Sequence, residues 1–345
     1  MIDIFEDVKL FMMTQSKIAK LVGVSASTVS KALSGSKEIS DDVRNKIIKI
    51  AVESDYFKQK TQRRLDYTSG NAVTVGLICP EIISIYYSRI ITYCKNEIET
   101  RGGQAAVYIY DFDSDKFNAI IENIITKKSV DGIVVISGRD IKTNPNIPIV
   151  RMASSMQDNC YDSVSCDSYA ALNAAVKHLK ELGHEQIGFV GETLTEETRK
   201  QYKRALAENG ISYRDELVYT INKRFEDIGT AAAREMLNSG SIPSAIIAAY
   251  DEIALALIHE FEANGISVPN DVSVIGINDI PYSSYSQVPL TTIKHYTEEQ
   301  CALAVQLLYD KILGSSSSAR HISLSHELVI RSSTAKNSRT SEKAR

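Results

Sequence analysis

The chain has 345 residues, of which 43% are hydrophobic and 24% are charged, and its formal net charge is −4. This length is too great for one compact core, and the composition is that of a globular protein rather than of a disordered, fibrous or membrane-spanning one. Asp251 and Glu252 cut the apolar run near residues 242 to 258 well before it reaches the about 18 residues that a membrane helix needs. The N-terminus lacks the basic-then-apolar pattern of a secretory signal. We therefore expect two or three domains in a cytoplasmic protein without membrane contact.

The five cysteines show no pairing that would bind a metal or form a disulfide. They are scattered along the chain at positions 79, 94, 160, 166 and 301, with no C-x-x-C spacing. Such scattered cysteines are typical of reduced thiols. Enzyme motifs are equally scarce, since we find no G-x-G-x-x-G fingerprint, no phosphate-cradling loop and no nucleophile spaced from a base in a recognisable pattern. We therefore expect no metal site, no cofactor, no catalytic residue and no enzyme.

Positive charge is concentrated near the N-terminus. Residues 14 to 65 contain eleven lysines and arginines against five acids, a net charge of +6, whereas the whole chain carries −4. Residues 1 to 13 carry −2, so the part from Asp66 onward carries −8. A basic head on an acidic body indicates that the head meets a polyanion. A solvated basic helix face is the alternative.

Residues 14 to 58 predict a headpiece of three short helices. The first helix has its apolar residues on one face, at Ile18, Leu21 and Val22. It should end at Gly23, because glycine readily adopts the positive φ of a tight turn. Ser25 is a favourable N-cap for a second helix from Ala26 to Leu33. Ser40 caps a third helix, whose apolar face repeats at Val43, Ile47, Ile50 and Ala51.

A helix, a glycine turn and a second helix form the spacing of a helix-turn-helix. In that motif the second helix enters the major groove of DNA, and the side chains at its N-terminus contact base edges. The helical pattern alone fits a generic three-helix bundle equally well. The exposed positions that would face DNA are Ala26, Ser27, Thr28 and Lys31.

The exact string favours DNA binding. "SKIAKLVGVSASTVSKALSG" followed by "ISDDVRNKIIKIAVESDYF" resembles, without a gap, the headpiece of the LacI/GalR family of repressors. The resemblance implies that Ala26, Ser27 and Lys31 read bases. It also implies contacts that hold phosphates and fix register, from Ser16, Ser25, Thr28, Ser30 and Ser40. Lys31 stands where the family more often has arginine, and lysine lacks the planar fork that grips guanine at two points.

The segment from 59 to 70 resembles the family's hinge helix in part. Arg63 and Leu65 match the hinge pattern, whereas Lys58, Gln59 and Gln62 depart from it. By resemblance, the Leu65 side chains of two chains would wedge into the minor groove at the centre of the operator, which requires a dimer. A plain basic linker is the alternative.

The body from 71 to 334 alternates short apolar strands with helices. This pattern predicts an α/β fold in which the headpiece precedes a two-lobed core, similar to periplasmic binding proteins, with two doubly wound parallel sheets. We expect the N-terminal lobe over 71–152 and 296–314, and the C-terminal lobe over 153–294 and 318–334. Residues 335–345 should form a disordered tail. In such sheets ligands bind beyond the carboxyl ends of the strands, so two facing lobes would enclose a small molecule.

The resemblance extends through the core and implies a set of effector-binding residues. These are Ser84, Tyr86 and Tyr87 after the first strand, Asp167 in the crossover, Thr198 and Arg199 near a helix start, Tyr250, Asn278 and Asp279 at strand ends, and His295 at the cleft edge. Stacking on a ligand and simply covering the lobe are equal alternatives for the tyrosines. Several positions depart from the sugar-binding pattern, since Thr198 replaces an arginine and Asn278 replaces an acid. The resemblance implies a sugar-like or related effector, whereas these departures leave an unusual or bulkier effector, or none, as open alternatives.

Three functions compete at this point. The first is a repressor that binds a palindromic double-stranded operator as a homodimer and responds to a small-molecule effector, for which a carbohydrate is one possibility. The second is a sugar-binding protein of a transport system, against which the headpiece and the missing signal argue. The third is an enzyme, which no motif supports. The C-terminal tail lacks leucine heptads, and this favours a dimer over a tetramer.

Overall fold

The computed structural model describes residues 13–36, 38–57, 72–137, 141, 146–153, 160–314 and 318–338. The chain divides into two compact units. Unit 1 contains Met1–Cys166 and Tyr296–Ser325, and unit 2 contains Asp167–His295 and His326–Arg345. The chain therefore passes between the units three times. Within the described ranges, none of the helices combines the length and the apolar character needed to cross a membrane.

The secondary structure follows the predicted order. The headpiece contains α1 Gln15–Val22, α2 Ala26–Leu33 and α3 Asp41–Glu53. The core begins with β1 Thr74–Cys79, α4 Ile85–Glu99, β2 Gln104–Ile109, α5 Ser114–Lys127, β3 Gly132–Ile136, β4 Ile149–Ala153 and β5 Asp162–Cys166. It continues with α6 Ser168–Glu181, β6 Ile187–Gly191, α7 Glu196–Glu208, β7 Val218–Thr220, α8 Glu226–Ser239, β8 Ala245–Ala248 and α9 Asp251–Ala263. It ends with β9 Ser273–Ile277, α10 Tyr282–Tyr285, β10 Thr291–Lys294, α11 Thr297–Ile312, β11 His321–Leu324 and β12 Glu327–Val329.

The headpiece forms the three predicted helices around a small apolar core. Ile18, Val29 and Ile47 are fully buried, one from each helix. Leu21 was expected on the same face as Ile18, and this prediction is wrong because its side chain is 64% exposed. A helix of eight residues makes barely two turns, so a position three residues from Ile18 lies at the border of the buried face.

Each unit is built around one six-stranded sheet. The order in unit 1 is β11-β5-β4-β3-β1-β2, and every neighbouring pair is parallel. The order in unit 2 is β12-β10-β9-β8-β6-β7. Its strands are parallel except β12, which runs antiparallel to β10 at the sheet edge. The α/β class and the two doubly wound sheets are thus confirmed, with one antiparallel edge strand added.

The lobe boundaries differ from the predicted ones. The C-terminal lobe was expected to begin at residue 153, yet β5 pairs with β4 and belongs to unit 1. Its sequence, "DSVSC", is completely buried although three of its five residues are polar, so hydrophobic periodicity gave no signal. Residues 318–334 were expected to lie wholly in the C-terminal lobe, yet they contain β11 in unit 1 and β12 in unit 2.

The predicted disordered tail begins too early. Residues 335 to 338 are held against unit 2 by hydrogen bonds. The Ala335 carbonyl accepts from His184 Nε2 at 3.0 Å, and the Asn337 amide donates to the Leu182 carbonyl at 2.8 Å. Asn337 Nδ2 also donates to the Gly183 carbonyl at 3.1 Å. The polar composition of this segment concealed partners that are distant in sequence. Residues 339 to 345 lie outside the described part of the chain.

Truncation distinguishes an ordered end from a dispensable one. A chain ending at Thr334 loses these bonds and leaves the buried His184 ring without the Ala335 carbonyl, so its free energy of unfolding should fall by about 2 kcal/mol. A chain ending at Ser338 keeps them and serves as the matched control, with a change below about 0.5 kcal/mol. Urea unfolding measures both values. Equal stability of the two truncated chains would contradict this assignment.

Candidate functional site

The turn between α1 and α2 is fixed by local capping. Gly23 ends α1 with φ 78°. The Ser25 hydroxyl accepts a hydrogen bond from the Thr28 amide at 3.0 Å, which satisfies one of the unpaired donors at the start of α2. Val29 and Ala32 of α2 are buried, and this sets which side of the helix faces outward. The sequence thus presents the N-terminus of α2 as an exposed, pre-formed edge.

The described residues predicted to contact DNA lie on the outer surface of the headpiece. Thr28 is half-buried and bonds to the Ser25 hydroxyl. The other described residues of this set are exposed, namely Ser16, Ser25, Ala26, Ser27, Ser30, Lys31 and Ser40. Ser40 precedes α3 without a side-chain capping bond in the described headpiece. Arg63 and Leu65 lie outside the described residues. The predicted contact residues thus place hydroxyls and the Lys31 ammonium group on the surface along α2 and at the starts of α1 and α3.

Glu38, an acid that was not among the predicted residues, lies beside α2. Lys31 Nζ donates to Glu38 Oε2 at 2.5 Å, and both side chains are exposed. The hydrogen bond from Lys31, and then its positive charge, lower the pKa of Glu38. An exposed pair of this kind contributes little to stability. Its consequence is functional, because Glu38 places a carboxylate next to a side chain predicted to read DNA.

In unit 1, the carboxyl ends of β1 and β2 carry an aromatic cluster. The buried Ser84 hydroxyl accepts from the Tyr87 amide at 3.1 Å and caps α4, so this residue shapes the loop. The Tyr86 and Tyr87 rings meet edge-on with centroids 5.2 Å apart. The ring centroid of Phe112 lies 6.3 Å from that of Tyr87, and Phe112 was not among the predicted residues. These contacts join the predicted tyrosines in one aromatic surface at the sheet edge where ligands bind in α/β folds.

In unit 2, a buried carboxylate organises the corresponding edge. Glu192 follows β6, and its Oε1 atom accepts from Arg224 Nη1 at 2.8 Å and from the Tyr250 hydroxyl at 2.9 Å. The Phe225 ring lies 4.6 Å from the Arg224 guanidinium. Tyr250 was among the predicted residues, whereas Glu192, Arg224 and Phe225 were not. A signal for Glu192 existed, because it lies at the carboxyl end of an apolar strand, where ligands bind in parallel sheets.

The other predicted effector residues of unit 2 lie in separate places. Arg199 donates to both carboxylate oxygens of Glu196 at 2.8 Å, so its guanidinium is occupied on α7, where Thr198 is half-buried. The Asp167 carboxylate accepts from the Ala170 amide and caps α6. Asp279 Oδ1 accepts from Arg331 Nη2 at 2.7 Å.

Three predicted positions carry unusual backbone or electrostatic features. Asn278 has φ 113° and Asp279 has φ 49°, so the loop after β9 turns sharply. His295 packs edge-on against His326, with ring centroids 4.9 Å apart. Burial and the neighbouring His326 lower the pKa of His295 to about 3, and burial lowers that of His326 to about 4. Both rings are therefore neutral at pH 7.

The loop after β9 is held by the buried Asp251. Its Oδ2 atom accepts from the Ile280 amide and from the Ser283 hydroxyl, each at 2.8 Å, and its Oδ1 atom accepts from the Thr292 hydroxyl. Burial raises the pKa of Asp251 to about 6 despite these three donors. The carboxylate thus positions the backbone that carries Asn278 and Asp279. Ionisation of this buried group lowers the stability of the folded state, because burial disfavours the charged form.

Replacing Asp251 changes how stability depends on pH. Its pKa lies above the unfolded value of 3.8, so its stabilising contribution is complete below pH 3.8 and is lost as the pH rises through 6. The stability of Asp251→Asn relative to the wild type should therefore rise by about 3 kcal/mol from pH 4 to pH 7. Urea unfolding across this range gives the difference. Thr292→Val removes a donor to the carboxylate and should destabilise at pH 7 more than at pH 4. A pH-independent difference for both variants would contradict the assignment.

The comparisons with known proteins agree in both parts of the chain. Residues 15–59 match "Bacterial regulatory proteins, lacI family". Residues 176–334 match "Periplasmic binding protein-like domain". The catabolite control protein A of Priestia megaterium is 29% identical over 329 residues, covering 92% of this chain and 98% of that protein. The ribose operon repressor of Haemophilus influenzae is 27% identical over 340 residues, covering 93% of this chain and 98% of that protein.

A solved structure supports the same fold. The lac repressor dimer bound to operator and the anti-inducer ONPF has a TM-score of 0.69 and 22% identity, covering 94% of this chain and 99% of that chain. The exposed helix-turn-helix, the two sheets and the full-length matches to regulators lead to one conclusion. Residues 15–59 belong to the lacI family of bacterial regulatory proteins, and the chain as a whole is similar to regulators of that family over more than nine-tenths of its length.

Proposed function

We propose that this protein represses transcription from the cytoplasm by binding a palindromic operator as a homodimer, and that a small molecule bound to the core controls this binding. The observation that carries the proposal is the exposed face of α2, where Ala26 and Ser27 in the first turn and Lys31 in the last turn lie on the surface of a capped helix-turn-helix. A helix in this position reads bases in the major groove, and surrounding hydroxyls hold phosphates.

A dimer and a palindrome are proposed together. One headpiece offers a single recognition helix, and helix-turn-helix proteins reach specific affinity by placing two such helices on half-sites one helical turn apart. The lac repressor structure is named as a dimer on its operator, and this likeness supports the same arrangement here. The relatives are named as regulators, which favours regulation over catalysis.

The effector is proposed to be a polar small molecule, with carbohydrates as the favoured class. Buried carboxylates and tyrosine hydroxyls pair with ligand hydroxyls, and aromatic rings cover the apolar faces of sugar rings. Unit 2 offers Glu192, Arg224 and Tyr250 at its carboxyl edge, and unit 1 offers Tyr86 and Tyr87. Arg199 is a weaker candidate because Glu196 already holds its guanidinium.

Lys31 and Glu38 should have opposite effects on DNA binding. With a palindromic duplex selected by the wild type from a random library, Lys31→Ala should lower affinity about tenfold because a base contact is lost. Glu38→Gln frees Lys31 and removes a charge that repels phosphates, so it should raise affinity several-fold and steepen the salt dependence by about one unit. Fluorescence anisotropy over a salt titration measures both effects.

Lys49→Ala is the matched control, because Lys49 is also exposed and paired with an acid but lies on α3, outside the predicted DNA-contacting set. It should change operator affinity less than Lys31→Ala does. The proposal fails if the wild type binds only weakly and without sequence preference at every salt concentration, or if Lys31→Ala binds the selected duplex as tightly as the wild type.

Glu192 should matter for the effector more than Glu196 does. A ligand that binds the folded core raises the melting temperature with dose, so a thermal-shift screen of monosaccharides, disaccharides and nucleosides identifies the class. Glu192→Gln removes the charge that holds Arg224 and Tyr250 together and should abolish most of the shift. Glu196→Gln alters a helix-surface pair and should keep it. Equal shifts in both variants, or loss in Glu196→Gln alone, would refute this assignment of the site.

A further inference from the structure

The headpiece is not an isolated module, because α3 packs against the edge strand of the unit 1 sheet. Arg44 is nearly buried, with 7% of its side chain exposed. Its Nη2 atom donates to the Ser36 and Ile39 carbonyls at 2.9 and 2.8 Å, and its Nη1 atom donates to the Ser323 carbonyl at 3.4 Å. One guanidinium thus joins the turn before α3 to the end of β11.

Two further contacts complete this docking surface. Asn45 Nδ2 donates to the Ser325 hydroxyl. Gly35 lies directly over β11, where a Cβ atom would come within 2.6 Å of the His321 carbonyl oxygen, and its φ is +80°. The contact therefore depends on close backbone approach and on hydrogen bonds of defined geometry. A displacement of about 1 Å would break these bonds.

The docked headpiece keeps its recognition surface open. Ala26, Ser27 and Lys31 are exposed, whereas the docking residues Gly35, Arg44 and Asn45 are buried or half-buried. Docking and base reading thus use different faces of the same small fold. DNA can bind without prior release of the headpiece, and a headpiece already held in place loses less orientational freedom on binding.

The strand end that receives the headpiece is also where the chain leaves unit 1. Ser325 is the last residue of unit 1, and His326 is the first residue of unit 2. A shift of the segment from Ser323 to Ser325 within unit 1 therefore acts directly on the Arg44 and Asn45 hydrogen bonds. No intervening element is needed to transmit it.

We propose that the Ser323–Ser325 segment is a docking site for the DNA-binding headpiece, and that Arg44 and Asn45 are positioning residues that hold α2 in its DNA-binding orientation. This inference rests on the proposed function. It adds a direct contact between the core and the headpiece, formed by α3 and independent of the segment from 59 to 70. Operator affinity then depends on the position of α3 relative to β11.

Asn45 and Ser325 provide the test, because Arg44 also satisfies carbonyls inside the headpiece and its truncation risks unfolding that domain. In the full chain, Asn45→Ala and Ser325→Ala should each lower affinity for the wild-type-selected palindromic duplex about fivefold, as expected for one lost hydrogen bond. The double variant should be no weaker than either single variant, since both remove the same bond. Ser325→Thr keeps a hydroxyl and should restore affinity.

Controls separate docking from folding and from the proposed function. Asn123→Ala, on α5 of the same unit, is the matched truncation and should leave affinity unchanged. The melting temperatures of the Asn45 and Ser325 variants should stay within about 2 °C of the wild type. Additive losses, unchanged affinity, or tighter binding in the single variants would overturn the docking inference while wild-type operator binding persists. Failure of the wild type to select any duplex would instead overturn the proposed function.

Discussion

Burial of one apolar cluster shared by the headpiece and the unit 1 sheet is the interaction on which the rest of the structure depends. Ile18, Val29 and Ile47 of the headpiece belong to the same continuous buried cluster as Val75 of β1 and Leu303 of α11. A three-helix domain of this size buries little apolar surface by itself. Packing on the lobe supplies the missing burial and brings Arg44 to β11. The polar face of α2 is then the face left for DNA.

Local signals allowed the headpiece to be predicted almost to the residue. Gly23 adopts a positive φ and the Ser25 hydroxyl caps α2, so α1 ends and α2 begins where the sequence indicates. The core was harder to divide. Three of the five residues in the buried strand β5 are polar. This burial is possible because Asp162 pairs with Arg320, which lies far along the chain. No periodicity reveals such pairing, and the predicted lobe boundary failed there.

The same distinction applies to the functional residues. The exposure of the positions predicted to read bases could be foreseen, because their surface placement follows from one short motif. Glu38, Arg44 and Asn45 were not, since their importance comes from Lys31, Ser323 and Ser325, which tertiary structure brings near them. At the unit 2 edge, resemblance indicated Arg199, while the structure pairs it with Glu196 and places Glu192 beside Tyr250. Charged side chains adopt partners that a family pattern does not specify.

We propose that two copies of this chain bind one DNA site through α2. The most direct measurement is the sequence that the full-length protein enriches from a random duplex library, determined by sequencing. We expect the enriched DNA to contain an inverted repeat whose half-sites are centred about 10 base pairs, or one helical turn, apart. Enrichment of an unpaired half-site, or no enrichment over the starting library, would contradict it.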